Sequence, residues 1–383
     1  MALTGWFVVV VAAVLCVGSI AAVLGWWNRI GPSGWPRQLG RGGLVLGAQL
    51  AAVLLVAVLM NDAGSFYTSW SQLWESPAKP RSVQAQHGAR DAQLRGKLRE
   101  AQRTGHGIVV SLTVPGTTSR VSSHQALVYL PAAYGDPRYP DRQFSVVELL
   151  HGYPGAPQTW TKAMSIAAVM DREVQAGRAM PMILVMPTQS VAGVRDTECV
   201  NISAGPQVDT YLTADVRRAV SANFRSMPGP DGWALMGYST GGFCATNLLM
   251  RHPDLYTAGA SIAGYFQPPH DHSTGDLFGR DPTARNLNNP VWRLLNLPIP
   301  AVSLLLVSTS EDHPAARAQR VLLAAVQRPM RVETIQVRHG GHNFEVWRPE
   351  EPVCLDWLSR HLIAPLAPGP SLDGKTPHPT GTH

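Results

Sequence analysis

The five residues Gly237-Tyr238-Ser239-Thr240-Gly241 have the form G-x-S-x-G. Small residues on either side of a serine let a tight strand-to-helix turn lift the hydroxyl clear of the backbone. The preceding Trp233-Ala-Leu-Met reads as a strand, and Gly241-Gly242-Phe243-Cys244-Ala245 opens a helix. A serine is a nucleophile at neutral pH only beside a base, and an elbow of this kind is followed in chain order by an acid and then a histidine. The strand-like run 302–307 ends in Ser308-Thr309-Ser310-Glu311-Asp312, which offers two carboxylates. Asp312 is the preferred orienting acid and Glu311 the alternative. Of the 13 histidines, His342 in Gly340-Gly341-His342-Asn343-Phe344 is best placed, because it lies in a loop beyond a strand end. His339 abuts that strand and reads as a capping or packing residue. An oxyanion needs N–H donors. The turn His151-Gly152-Tyr153-Pro154-Gly155 follows another strand, so the N–H groups of Tyr153 and Thr240 form the natural pair. Pro154 has no N–H and cannot contribute.

These residues need strands to hold them. β-rich runs occur at 108–114, 125–130, 144–150, 182–186, 233–236, 258–262, 302–307 and 332–337, with helix-period stretches at 210–224, 242–251 and 315–326. Strands alternating with helices predict an α/β body over 108–363, its sheet mostly parallel with helices on both faces. Each motif above then sits at a strand end.

The rest of the chain reads differently. Residues 2–27 carry no charge, and 44–60 form a second apolar run with Gln49 as its one polar member. The first exceeds the roughly 20 residues a membrane span needs, and the second is near the short limit. No Lys or Arg precedes Arg29, so the basic start of a cleaved signal peptide is missing. A two-helix transmembrane hairpin over 1–62 is expected. Arg29, Arg37 and Arg41, with no acid between 28 and 43, place the connecting loop in the cytoplasm and everything after Met60 outside. Phe66, Tyr67, Trp70 and Trp74 read as an interfacial aromatic belt, beginning a linker over 63–107 with a short helix near 91–103. The basic residues between Lys79 and Arg103 run against this orientation, although most lie beyond the window that sets it. Residues 364–383, rich in Pro and Gly, read as a disordered tail.

Composition excludes other classes. Hydrophobic residues make up 45% and charged residues 15%, which rules out a disordered chain or a coiled coil. The net charge of +6 comes from scattered residues, 28 Arg and 4 Lys, with no basic stripe or nucleic-acid module. No nucleic-acid partner is expected. His270-Asp271-His272 suggests no third ligand, so neither metal nor cofactor is expected.

With these motifs in place the chain resembles the putative-esterase family of α/β-hydrolases, which includes esterase D-type hydrolases, feruloyl esterases and mycolyltransferases. The pieces are His151-Gly-Tyr-Pro-Gly with Trp160 shortly after, Gly-Tyr-Ser239-Thr-Gly-Gly, and Gly-Gly-His342-Asn-Phe-Glu-Val-Trp347. The last is the most specific. The resemblance implies nucleophile Ser239, base His342, acid Asp312 or Glu311, and oxyanion N–H groups at Tyr153 and Thr240. Glu148 departs from the aliphatic run usual before the HG turn and has no assigned role. A membrane anchor ahead of such a body resembles actinobacterial envelope proteins. The expectation is an extracytoplasmic serine carboxylesterase or acyltransferase at the cell membrane, acting on an ester substrate such as an envelope lipid or glycolipid. The competing reading is a non-catalytic envelope binding or assembly module on a hydrolase fold. Of the four cysteines, Cys16 and Cys354 lie in apolar helices. Cys199 and Cys244 lie in segments expected to meet near the sheet's carboxyl edge, and a disulfide is expected between them, as an oxidising compartment permits.

Overall fold

The two apolar stretches at the start of the chain form helices α1 (Trp6–Trp26) and α2 (Trp35–Gly64). In this computed structural model residues 6–30, 33–64, 92–138, 140–193 and 195–365 are described. The 21 residues of α1 span about 31 Å at 1.5 Å per residue, matching a hydrocarbon core of about 30 Å. The apolar part of α2, Trp35–Asn61, has 27 residues, more than the run 44–60 suggested, because the helix begins at Trp35. Both are long and apolar enough to cross a membrane, and none of α2's apolar window is buried. Arg41 closes the turn between them: its Nε donates to the Trp27 carbonyl at 2.9 Å and its guanidinium lies 4.6 Å from the Trp27 ring centroid. The expected aromatic belt at 66–74 and the tail beyond 365 lie outside the described residues.

The chain divides into two compact units, Met1–Lys79 with Gly340–Arg348, and Pro80–His339 with Pro349–His383. The second begins with α3 (Ala92–Thr104), whose Leu94 and Ala101 are buried, Leu94 within the main core. There follow β1 (Ile108–Val114), β2 (His124–Leu130), β3 (Val146–Leu150), α4 (Pro157–Lys162), α5 (Ile166–Gln175), β4 (Ile183–Met186), α6 (Arg217–Asn223), β5 (Trp233–Tyr238) and α7 (Thr240–Arg251). Then come β6 (Ala258–Ile262), α8 (Pro282–Leu287), α9 (Pro290–Asn296), β7 (Ser303–Thr309), α10 (His313–Ala325) and β8 (Arg331–Val337); α11 (Phe344–Trp347) falls in the segment grouped with the first unit, and α12 (Glu351–His361) closes the second. The eight strands form one sheet in the order β1-β2-β4-β3-β5-β6-β7-β8. The hairpin β1–β2 is antiparallel, β2 pairs antiparallel with β4, and all later pairs are parallel.

Every residue of β3, β4, β5 and β6 is buried. Strands covered on both faces are read from continuous apolar runs rather than alternation, which is why Ile183-Leu-Val-Met and Val146-Val-Glu-Leu-Leu declare themselves in the sequence. Two boundaries differ from expectation. Phe144 stops short of β3 and bridges to Ser226 instead. The expected helix 210–224 is broken by a π-helical stretch, Tyr211–Val216, before α6.

The topology singles out one crevice. From β3 the chain crosses to β4 on one side and then returns to place β5 on the other, with Leu150 opposite Gly237. Connections that leave neighbouring parallel strands in opposite directions open a cleft beyond their carboxyl ends, where open α/β sheets bind ligands. The His151 turn leaves β3 at that point and Ser239 leaves β5.

Candidate active site

Ser239 is the residue between β5 and α7, and its backbone is left-handed, with φ 55° and ψ −124°. A non-glycine residue there is strained and persists only where its surroundings hold it. They do: its N–H donates to the Ile262 carbonyl at 2.9 Å, and its carbonyl accepts from Gly242 at 2.9 Å and Phe243 at 3.1 Å. The glycines are required by space. A Cβ on Gly237 would lie 2.1 Å from the Gly241 carbonyl oxygen, and one on Gly241 would lie 1.9 Å from that of Leu150. Ser239 is half-buried among buried neighbours.

The His151 turn abuts this elbow. A Cβ on Gly152 would lie 2.8 Å from Tyr238 Cε2 and 3.2 Å from Ser239 Cβ. Tyr153, half-buried, follows directly. Thr240 occupies the first position of α7, where a backbone N–H has no partner within its own helix. His151 is buried and holds the turn from inside, its Nδ1–H donating to the Gly152 carbonyl at 2.8 Å. Burial pushes its pKa down to about 4, so the ring is neutral.

The loop that carries Cys199 packs behind these residues. Gln189 Nε2 donates to the His151 carbonyl at 2.6 Å, and Thr197 Oγ1 donates to the Gln189 carbonyl at 3.1 Å. Thr240 Oγ1 donates to Asp196 Oδ2 at 3.0 Å. Tyr265 donates its hydroxyl to Glu198 Oε1 at 2.5 Å and stacks on Phe243. Burial raises the pKa of both acids; for Glu198, driven well above the usual range, the Asp196 charge adds to it. The expected disulfide joins Cys199 in this loop to Cys244 on α7, with Cα atoms 5.6 Å apart. Cys16 and Cys354 are free and buried.

At the end of β7 the two candidate acids separate by environment. Asp312 is buried and caps α10, accepting from the Ala315 N–H at 3.3 Å. Glu311 is exposed and pairs with His339 at 2.9 Å between Nδ1 and Oε1. The segment Gly340–Arg348 belongs to the other unit. Within it His342 is exposed and meets the buried Trp347 ring edge-on at 4.9 Å, and Phe344 packs on the same Trp347 at 5.0 Å. Asn343 caps α11 by accepting from the Glu345 and Val346 N–H groups. The His–aromatic–Trp pattern in the sequence is thus a local stack that fixes the imidazole. His270, Asp271 and His272 are exposed, and Asp271 serves a turn, accepting from the Ser273 and Thr274 N–H groups.

A mostly parallel sheet with a left-handed serine elbow at its switch point defines an α/β-hydrolase. Comparison with known proteins narrows this: residues 121–353 match the family described as "Putative esterase", and the chain belongs to that family. An uncharacterized protein of Corynebacterium glutamicum is 27% identical over 328 residues, covering 81% of this chain and 76% of that one. Among solved structures, a ferulic acid esterase aligns with a TM-score of 0.58 at 22% identity, over 67% of this chain and 99% of that one. An S-formylglutathione hydrolase from Agrobacterium tumefaciens aligns at 0.56 and 14% identity, over 67% and 96%. A fluorophosphonate-binding serine hydrolase of Staphylococcus aureus, FphF, aligns at 0.55 and 15% identity, over 66% and 99%. Family and fold make this chain a hydrolase of the esterase class.

Proposed function

We propose that the chain is a membrane-anchored, extracytoplasmic serine carboxylesterase or acyltransferase, with Ser239 as nucleophile, His342 as base and Asp312 as orienting acid. The observation that carries this reading is the elbow: a strained serine at the switch crevice, with the His151–Gly155 turn against it. Ser239 Oγ passes its proton to the His342 imidazole and attacks an ester carbonyl. The N–H groups of Tyr153 and Thr240 receive the oxyanion. The alcohol leaves with the proton from His342, and the acyl-enzyme passes its acyl group to water or to a hydroxyl of an acceptor, an envelope lipid or glycolipid being the substrate class that suits an anchored enzyme. Burial favours Asp312 over Glu311, whose carboxylate is engaged by His339 at the surface. Two features support an outward-facing body: the arginines at the joined ends of the two helices, Arg29 between them and Arg37 and Arg41 in the first two turns of α2, and a disulfide, which persists in oxidising compartments.

The test is fluorophosphonate labelling and turnover of a short-chain nitrophenyl ester by the detergent-solubilised full chain, beside Ser239→Ala. Loss of labelling, with turnover reduced by about 10⁴-fold or more, is expected in the variant. A folded wild-type chain that neither labels nor turns over would leave the non-catalytic envelope module as the better reading.

A further inference from the structure

The segment from Gln189 to Cys199 is costly to fold. Gln189, Asp196, Thr197, Glu198 and Cys199 are all buried, with Asp196 and Glu198 only 6% and 1% exposed. Burying carboxyl groups is unfavourable unless they are well satisfied, and Glu198 Oε2 has no hydrogen-bond partner among the described residues. Glu198 and Cys199 also hold left-handed backbones, with φ 48° and 53°. Strain and buried charge that nothing in the core's own packing requires concentrate at functional sites. These carboxyls are too enclosed to meet a ligand, so their effect must pass through their neighbours.

Those neighbours are the two sides of the oxyanion site. On one side, the Gln189 side chain holds the carbonyl of His151, two residues before Tyr153. On the other, Asp196 Oδ2 accepts the hydroxyl proton of Thr240, and Tyr265, bonded to Glu198, lies 3.2 Å from that same hydroxyl. Thr197 ties the two halves together by donating to the Gln189 carbonyl. The Cys199–Cys244 disulfide anchors the loop one turn along α7 from Thr240.

We propose that Asp196 is a positioning residue for the reaction: through the Thr240 hydroxyl it fixes the peptide whose N–H receives the oxyanion, with Gln189 of the same loop holding the Tyr153 side in register. This rests on the function proposed above. Donors aimed at a developing oxyanion act on the transition state rather than on substrate binding, so loosening one lowers kcat and leaves KM in place.

The experiment compares the detergent-solubilised full chain with Asp196→Ala, Thr240→Val, Thr240→Ser and the Asp196→Ala/Thr240→Val double variant, reading kcat and KM for a short-chain nitrophenyl ester and the fluorophosphonate labelling rate. Asp196→Ala and Thr240→Val are each expected to lower kcat by about 10- to 1,000-fold, the upper part of that range being the cost of losing an oxyanion donor outright, with KM within about twofold. The double variant should be no worse than the poorer single one, because both remove the same hydrogen bond. Thr240→Ser, which keeps the hydroxyl, should recover most of the rate; this pair decides the matter if Asp196→Ala fails to fold. Three outcomes overturn the inference while leaving the proposed function intact: an unchanged kcat in Asp196→Ala beside an active wild type, losses that add, or a raised KM with kcat unchanged. A wild type that neither labels nor turns over overturns both.

Discussion

Replacing Glu148 by glutamine should make the chain more stable at alkaline pH and leave it unchanged in acid. Glu148 sits in the middle of β3, wholly buried, with Tyr256 donating its hydroxyl to Oε2 at 3.0 Å and Oε1 without a hydrogen-bond partner among the described residues. Burial pushes its pKa from 4.5 up to about 8, against the opposing hydrogen bond from Tyr256 and the field of Arg217, whose guanidinium lies 4.1 Å from the Trp233 ring centroid. The folded state therefore keeps a proton that the unfolded chain releases. Where the native state binds more protons, stability falls as pH rises. Between about pH 5 and about pH 8 this one group should cost roughly 3.5 kcal/mol, at about 1.4 kcal/mol for each pH unit over which the two states differ. Glutamine has nearly the same shape, still accepts from Tyr256 and carries no titrating proton. The assay is thermal unfolding of the detergent-solubilised chain, followed by tryptophan fluorescence at both pH values. The gap between variant and wild type should open only on the alkaline side. Curves that run parallel across the range would refute the reasoning and mean that the carboxylate is ionised throughout.

Three further outcomes follow from contacts described above. Gly241→Ala places a Cβ 1.9 Å from the Leu150 carbonyl oxygen, so α7 and the end of β3 must part by about 1 Å, a misplacement that costs about 100-fold in rate; near-normal kcat would show that the elbow has slack. Removing the disulfide as Cys199→Ala/Cys244→Ala frees a 45-residue separation, worth about 4 kcal/mol of chain entropy; an unchanged unfolding midpoint would contradict that. A cysteine placed at Arg37, in the first turn of α2, should resist an impermeant maleimide in intact cells and react after permeabilisation; labelling from outside would put the body in the cytoplasm.

The elbow serine was legible because an elbow needs glycine at fixed offsets and a strand just before it, and Gly237, Gly241 and Trp233-Ala-Leu-Met supply both within nine residues of sequence. The sheet was legible for a related reason: strands buried on both faces are written as unbroken apolar runs. Strand β8, whose residues are all exposed or half-buried, was found only by its β-branched residues. The length of α2 was not legible, since Gly40, Gly42 and Gly43 interrupt the apolar pattern while the helix runs through them. Pairing was harder still: nothing local in the sequence separates Asp312 from Glu311, because the difference is that one side chain turns under the α10 terminus and the other out toward His339.

The Gln189–Cys199 loop marks where local reading stops. Its residues have no periodicity and no motif, and Asp196-Thr197-Glu198 on paper looks like a solvated polar turn. What buries it is long-range: Thr240 is 44 residues away from Asp196, Tyr265 is 67 from Glu198, and Cys244 is 45 from Cys199. The one mark it left in the sequence was the cysteine, since a disulfide to the helix that follows the elbow obliges whatever precedes Cys199 to lie beside it. Acidic residues within three positions of such a cysteine are forced under the same cover, and their cost then needs a reason. The hydrogen bond from Thr240 to Asp196 is the reason the geometry offers, and under the proposed function it would tie the stability of this loop to the rate of the reaction at Ser239.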